Sequence, residues 1–534
     1  MTSAGRRTAA AHGGSGTAWA VPDPYRWSQR PSLAVRAGSP RWASWHRDDE
    51  VVEEPVPKER NVVLVRLATS NNNLVTPPIG IGYLLKSLKP LPEVNPVFVD
   101  CKLEGLTARD LLARLEALDP LLVGFQVFSV DYGRLRRLLP RLKEAVPGAT
   151  LVAGGPHVTG LPEHTLAENP ALDLVVRGEG ERSLPLLVQG LLTGNLAPTL
   201  PSIPNLVYRS NGATRRNPVL EVDVKTQGAP AWDLLRPDRY PATQHGTFHM
   251  STKVVPLLTS RGCPYPCTFC AGHLTTGSRV RGRDAGDVAD EIEWLQQAHG
   301  FEEFVIEDEN FTFHKPHVLA FADEIERRRI RCHFSFPNGI RLDRLDEEIA
   351  SRLRAMGTYM VCLGIESGSR DTLRRMRKNL DLQLVEDRVK LLRRHGLIVN
   401  GSFILGFRDE TMDDIRQTIE LALRLPIQSA YFGNYLPLPG TEDFDTLRQT
   451  GEIDLDQIRW DDYSSYCGTV PYHPRAVSDK QLLRAVRNAS LRFYLRPHIA
   501  LGIARRLTRP VFVRSFITRA LGVFSPRRRT AEDD

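Results

Sequence analysis

The chain has 534 residues, more than one ordinary domain needs, and its 41% hydrophobic and 25% charged residues exclude a protein dominated by disorder. No apolar run reaches the roughly 20 residues that span a bilayer. The start, MTSAGRRTAAAHGG, lacks the apolar stretch of a secretory signal, so a cytoplasmic protein is expected. Much of the net charge of +7 lies toward the C-terminus, from Arg484 to the run Arg527, Arg528, Arg529, so it does not by itself imply nucleic acid.

Residues 1–57 are rich in Ala, Gly, Ser, Pro and Arg without periodicity, and read as a disordered leader. From residue 58 to 200 short apolar strands (NVVLVRL, PVFVD, LLVGFQV, ATLVAGG, DLVVRG) alternate with segments of helical periodicity. Strands apolar on both faces and separated by helices predict a buried parallel sheet, Rossmann-like or flavodoxin-like. Ligands of such sheets lie beyond the carboxyl ends of the strands, where Ser129, Gly154, Gly155, Gly178 and Glu179 fall. Residues 201–250 hold a predicted hairpin, NLVYRSNGATRRNPVLEV, and a proline-interrupted stretch, and read as a surface linker.

A second alternation fills residues 251–450, with strands at VVPLL, EFVIED, CHFSF, YMVCLGIES, IVNGSFILG and SAYFGNY. Six strand-helix repeats predict an open partial (β/α)6 barrel, with function at the carboxyl ends of its strands. Asp284 is a predicted helix N-cap, and Thr411 with Asp414 a capping box. Residues 451–534 read as a basic helical C-terminal extension broken at Pro497 and Pro510. In VFVRSFITRALGVF the residues Val513, Phe516, Ile517, Ala520 and Phe524 share one helical face, flanked by Arg514 and Arg519. That pattern suits either packing on the barrel or peripheral contact with an anionic membrane surface.

Seven cysteines in so long a chain do not form a disulfide framework. Three of them, Cys263, Cys267 and Cys270, lie in one short loop, TSRGCPYPCTFC, after the first strand of the second series. Three thiolates hold three irons of a 4Fe-4S cluster and leave the fourth iron open to a small molecule. The alternative is zinc completed by His273, and with the basic tail it would describe a nucleic-acid-binding protein. The position of the loop, inside a strand-helix series, favours the cluster. Cys101, Cys332, Cys362 and Cys467 are scattered and read as free thiols.

Residues 251–450 resemble the radical SAM superfamily, whose CxxxCxφC signature is met by Cys263, Cys267, Phe269 and Cys270. The resemblance implies that the open iron binds the amino and carboxylate groups of S-adenosylmethionine (SAM), whose reductive cleavage releases a 5'-deoxyadenosyl radical. It also implies SAM contacts from Phe269, from Asp308 in VIEDENFTF, from Glu366 and Ser367 in GIESGS, and from Gly406 in SFILGFRDET. Arg408 and Asp409 stand where relatives often have Pro-Gly.

Residues 58–200 resemble the cobalamin-binding module that precedes this barrel in one subfamily, through TPPIGIGYL, GGPHVTGLPEH and VVRGEGE. In relatives that ligate cobalt from below, a loop reads DxHxxG; here Asp100 to Gly105 carries Lys102 in place of the histidine. A protonated lysine has no lone pair, so cobalamin is expected without a histidine ligand from this loop. The resemblance implies a cobalamin-dependent enzyme that methylates an unactivated carbon or phosphorus centre, or one that catalyses radical cyclisation, oxidation or rearrangement without methyl transfer. Its expected partners are a small-molecule or lipid substrate and an external low-potential electron donor of the flavodoxin or ferredoxin type.

Overall fold

Strand β1 (Arg60–Arg66) places Val62 and Leu64 in one buried cluster and Val63 and Val65 in another, because successive side chains of a strand leave on opposite faces. A strand apolar on both faces is stable only between two layers of helices. In the computed structural model, which describes residues 59–68, 75–241, 249–465 and 470–506, those layers are present. The helices Ile79–Leu88 and Ser183–Leu192 cover one face, and Ala108–Leu118 and Ser129–Ala145 the other. The predicted leader, Cys467 and the amphipathic segment from 511 lie outside the described residues.

The first sheet continues with β2 (Val94–Asp100), β3 (Leu122–Gln126), β4 (Thr150–Gly154), β5 (Leu174–Val176), β6 (Leu206–Ser210) and β7 (Ala213–Arg216), in the order β2-β1-β3-β4-β5-β6-β7. β1 to β5 are parallel, in the flavodoxin-like order. β6 runs antiparallel to β5 and β7 antiparallel to β6. The hairpin read from sequence as linker is therefore the sheet's last two strands. The three-residue β5 would otherwise be an unprotected edge, and β6, with Leu206, Val207 and Tyr208 buried, covers it.

The rest of the stretch to 241 is not a surface tether either. Trp232 and Leu235 are buried, and the Trp232 indole donates to Glu291 Oε1 at 2.6 Å. Ala231 N donates to Gly82 O, and a Cβ on Gly82 would sit 2.5 Å from Leu235 Cδ1, so only glycine lets this segment cross the helix Ile79–Leu88. Replacing Trp232 by alanine should destabilise the fold by roughly 3–5 kcal/mol, read from denaturant unfolding.

The second sheet comprises β8 (Val254–Leu257), β11 (Glu303–Ile306), β12 (His333–Ile340), β13 (Thr358–Glu366), β14 (Ile398–Leu405) and β15 (Ser429–Asn434). All six are parallel, in chain order from β8 to β15, and the described residues leave both edges unclosed, as expected for a partial barrel. The Asp284 cap and the Thr411–Asp414 capping box are formed. The helix Asp479–Tyr494 buries Leu482, Ala485, Ala489 and Phe493, and its Tyr494 hydroxyl donates to Ala430 O of β15 at 2.9 Å. The described part of the C-terminal extension thus packs on the barrel. Pro497 begins a further helix, Pro497–Arg506, at the first-turn position where its missing N–H costs nothing.

Candidate functional site

The cysteine loop is closed at its neck. After β8, β9 (Ser260–Arg261) pairs antiparallel with β10 (Arg281–Gly282), so residues 262–280 project as one loop carrying all three thiols. Gly262 opens it at φ +95°, where a Cβ would collide with the Arg279 carbonyl. The acidic segment after β11 fastens the root. Asp308 Oδ1 accepts from Thr259 N at 2.7 Å, and its Oδ2 accepts from Thr259 Oγ1 and Ser260 Oγ at 2.6 Å each. Glu309 Oε2 accepts from Gly262 N, and Asn310 Nδ2 lies 3.9 Å from Cys263 Sγ.

Burial raises the thiol of Cys267, against a partial offset from the cations Lys378 and Arg341. Burial also pushes Cys270 up to about 11, with the Gly272 N–H pulling the other way and the two other thiols adding to the rise. Thiols this reluctant to ionise release their protons when a metal takes them. Among the described residues no three of His, Cys, Asp and Glu converge as ligands of one ion would. A cluster takes each thiolate on a different iron, so three interacting thiols on one loop, with two cations beside Cys267, suit it. Those three cysteines are the residues that would hold it.

Around this loop the structure gathers some of the residues expected at SAM and gives others different partners. Phe269 meets Phe407 edge-on with ring centres 6.4 Å apart, and Lys378 Nζ lies 6.0 Å from its ring. Glu366 sits at a bulge with φ +64° and pairs with Lys378 Nζ at 2.9 Å; both are buried. Desolvation works against the Lys378 charge, but Glu366 and the neighbouring Cys267 more than restore it, and its pKa is raised. No motif flagged Lys378, which follows the charged run RDTLRRMR and reads as solvated in sequence. Ser367 is spent on Thr418 Oγ1 at 3.0 Å and on Ser369 N. Both oxygens of Asp308 are likewise committed to the loop root, so it positions the loop. Asp409, at φ +61°, adopts the left-handed turn that glycine takes elsewhere, and Arg408 reaches Asp443 at 3.2 Å.

Gly406, at φ +79°, and Phe407 donate their N–H groups to Glu410 Oε2. Burial of Glu410 outweighs these bonds and pushes its pKa up to about 7 from an ordinary 4.5. Between those two pH values the unfolded chain is ionised here and the folded one is not. The stability this group contributes is therefore full below pH 4.5 and is lost as pH rises through about 7. Glu410→Gln should be more stable than the parent above pH 7, by on the order of 3 kcal/mol, and equal to it near pH 4. Thermal melts across that range check this.

On the first domain, Gly154 ends β4, Gly155 follows it, and Gly178 follows β5. Gly155 has φ +102°, and a Cβ there would sit 2.9 Å from Val127 N and O. Gly155→Ala should cost about 2 kcal/mol and lower cobalamin uptake, seen in the absorption spectrum. Ser129 Oγ lies 3.2 Å from His157 Nδ1, and Gly178 N donates to Thr159 Oγ1 at 3.0 Å. Asp100 caps the turn Cys101–Glu104, binds Arg66 and accepts from Tyr240 at 2.6 Å. Burial and the Arg66 charge lower Lys102 to about 8, so at neutral pH it remains mostly protonated and offers no lone pair.

Glu179 is a correction. Sequence placed it at cobalamin, but both its oxygens are bound to Arg261 and Arg281 of the cysteine-loop neck, at 2.8–3.0 Å. Its partners lie 82 and 102 residues further along the chain, beyond any motif.

Family models match at both sites: a B12 binding domain over residues 65–188 and the radical SAM superfamily over residues 257–422. An uncharacterized methyltransferase of Pyrococcus horikoshii is 31% identical over 428 residues, covering 79% of this chain and 89% of its own length. An anaerobic magnesium-protoporphyrin IX monomethyl ester cyclase of Cereibacter sphaeroides is 28% identical over 426 residues, covering 79% and 67%. Among solved structures, the radical SAM methyltransferase TsrM of Kitasatospora setae, with cobalamin and a [4Fe-4S] cluster bound, superposes with a TM-score of 0.60 at 20% identity. It covers 73% of this chain and 75% of that one. With the cysteine loop on the barrel and the glycine-lined strand ends before it, the chain belongs to the radical SAM superfamily, in the group that carries an N-terminal B12-binding domain.

Proposed function

We propose that this enzyme is a cobalamin-dependent radical SAM methyltransferase acting on an unactivated carbon or phosphorus centre of a small biosynthetic substrate. The observation that carries the reading is the shared wall between the two sites. A Cβ on Gly178, beside the cobalamin cradle, would be 3.5 Å from Thr275 O of the cysteine loop. Gly160, on the helix that follows Gly154 and Gly155, abuts Pro439 so closely that a Cβ would collide with its carbonyl. A methyl carrier and a radical source held at these two loops would serve one substrate between them.

When bound, the cluster and cobalamin supply the electron for SAM cleavage and a carrier for the methyl group. The chain's own residues hold and orient. Lys378 and Arg341 offset the negative charge of thiolates at the loop, and Lys378 fixes the Glu366 carboxylate at its strand end. In this reading Phe269, Glu366 and Gly406 contact SAM, while Asp308 and Ser367 act through the backbone they pin. Ser129, Gly154, Gly155 and Gly178 form the cobalamin cradle, without a histidine ligand from residues 100–105. The electron donor is external, of the flavodoxin or ferredoxin type.

The test is anaerobic turnover with a low-potential reductant, SAM carrying a labelled methyl group, and a metabolite extract. S-adenosylhomocysteine, 5'-deoxyadenosine and a labelled product are expected together. If 5'-deoxyadenosine forms alone, methyl transfer is excluded and radical cyclisation, oxidation or rearrangement takes its place, the reading that the likeness to the cyclase favours.

No helix among the described residues is long and apolar enough to cross a membrane. We propose a cytoplasmic protein with peripheral contact to an anionic membrane surface through the C-terminal segment after 497. Flotation with anionic liposomes, unchanged on deleting that segment, would remove the membrane contact.

A further inference from the structure

The neck of the cysteine loop is where the two domains exchange buried charge. Arg261 and Arg281 face each other across the two-residue β9–β10 ladder, one on each side of the loop's base. Glu179, from the first domain, binds both. Its Oε1 accepts from Arg261 Nη1 at 3.0 Å and from Arg281 Nη2 at 2.9 Å, and its Oε2 accepts from Arg281 Nη1 at 2.8 Å and from Val222 N at 2.8 Å. Glu181 takes Arg261 Nη1 at 2.7 Å, and the Arg261 guanidinium carbon lies 4.5 Å from the ring centre of Tyr83. All four charged side chains are at most 9% exposed.

Burying four charges is costly, and an apolar contact of the same size would hold two domains together as well. What the charged version adds is direction. A carboxylate that engages two guanidinium groups on the two sides of a loop's base fixes the position and tilt of that loop, which an apolar patch does not. The grip is also one peptide away from the cradle. Gly178 precedes Glu179 and donates to Thr159 on the helix Pro156–Gly160, directly after Gly154 and Gly155. Any shift of this strand-end loop therefore moves the carboxylate that holds the cluster loop.

We propose that Glu179 and Glu181 are positioning residues that lock the neck of the cysteine loop to the cobalamin-binding domain, so that cobalamin binding and cluster retention support each other. The inference rests on the two cofactors of the preceding reading but not on methyl transfer. If the enzyme makes no S-adenosylhomocysteine, the proposed reaction fails and this linkage can still be measured.

The experiment uses the anaerobically reconstituted holoenzyme, with and without hydroxocobalamin, and follows iron loss to a ferrous chelator. In the parent protein cobalamin should slow that loss about tenfold, a coupling of ordinary size. In Glu179→Gln the protection should fall toward onefold, while starting iron and the cobalamin spectrum stay near the parent's. By reciprocity, cluster removal should weaken cobalamin binding in the parent and not in the variant. No protection in the parent, or undiminished protection in the variant, overturns the proposal. If Glu179→Gln takes up no iron, Glu181→Gln, which removes a single partner of Arg261, decides by the same ratio.

Discussion

Replacing Cys267 with alanine will abolish 5'-deoxyadenosine formation, a fall of at least about a thousandfold, equivalent to roughly 4 kcal/mol of lost transition-state stabilisation. The cluster needs three thiolates on three irons, and with two the group is lost or exchanges freely. Cys267 is 8% exposed and sits beside Lys378 and Arg341, whose charges partly offset the burial of its thiol. Iron content per chain should fall in parallel with activity. Because the side chain is small, the fold should survive, and far-ultraviolet circular dichroism should be unchanged. A Cys267→Ala protein that still forms 5'-deoxyadenosine would remove the cluster assignment.

Asp308→Ala should have the second largest effect. The carboxylate is 2% exposed and accepts three hydrogen bonds from Thr259 and Ser260, within five residues of Cys263. Deleting it strands the buried Thr259 N–H and the Ser260 hydroxyl and leaves the Thr259 hydroxyl with only His317, at a cost of about 3 kcal/mol. The loop root then loses its anchor. Since small misplacements of reacting groups are expensive, 5'-deoxyadenosine formation should drop about a hundredfold. Asp308→Asn should be milder, because its amide oxygen still accepts from Thr259 N and the hydroxyls can turn to accept from its NH2 group. Denaturant unfolding separates the stability effect from the rate. Equal activity in the alanine variant and the parent would rule out the positioning role.

The fold was largely legible in the sequence because its elements are set by local pattern. Apolar runs bounded by turn residues placed all six barrel strands, and helical periodicity placed the segments between them. The hairpin at 206–216 was visible as a hairpin but not as the sheet's edge, since pairing with β5 joins residues about 30 apart and leaves no mark in either strand. Residues 230–235 looked like linker, because the glycine that admits Pro230 and Leu235, Gly82, lies about 150 positions earlier.

What the sequence alone determined is the chemistry of the cysteine loop. Three thiols at fixed spacing on one short segment carry the radical SAM signature locally, and the glycines of GGPHVTGLPEH and VVRGEGE carry the resemblance to a B12-binding module in the same way. Only the tertiary structure showed which acidic residues are taken up by the scaffold. Asp308 and Glu179 both stand at strand ends in apparently open positions, yet each is buried and saturated with hydrogen bonds. Lys378, unremarkable in a run of basic residues, becomes the cation between Glu366 and Phe269. A carboxylate's role depends on which donors reach it in a low-dielectric interior, and those donors are brought together by the packing of the two domains rather than by neighbours in the chain.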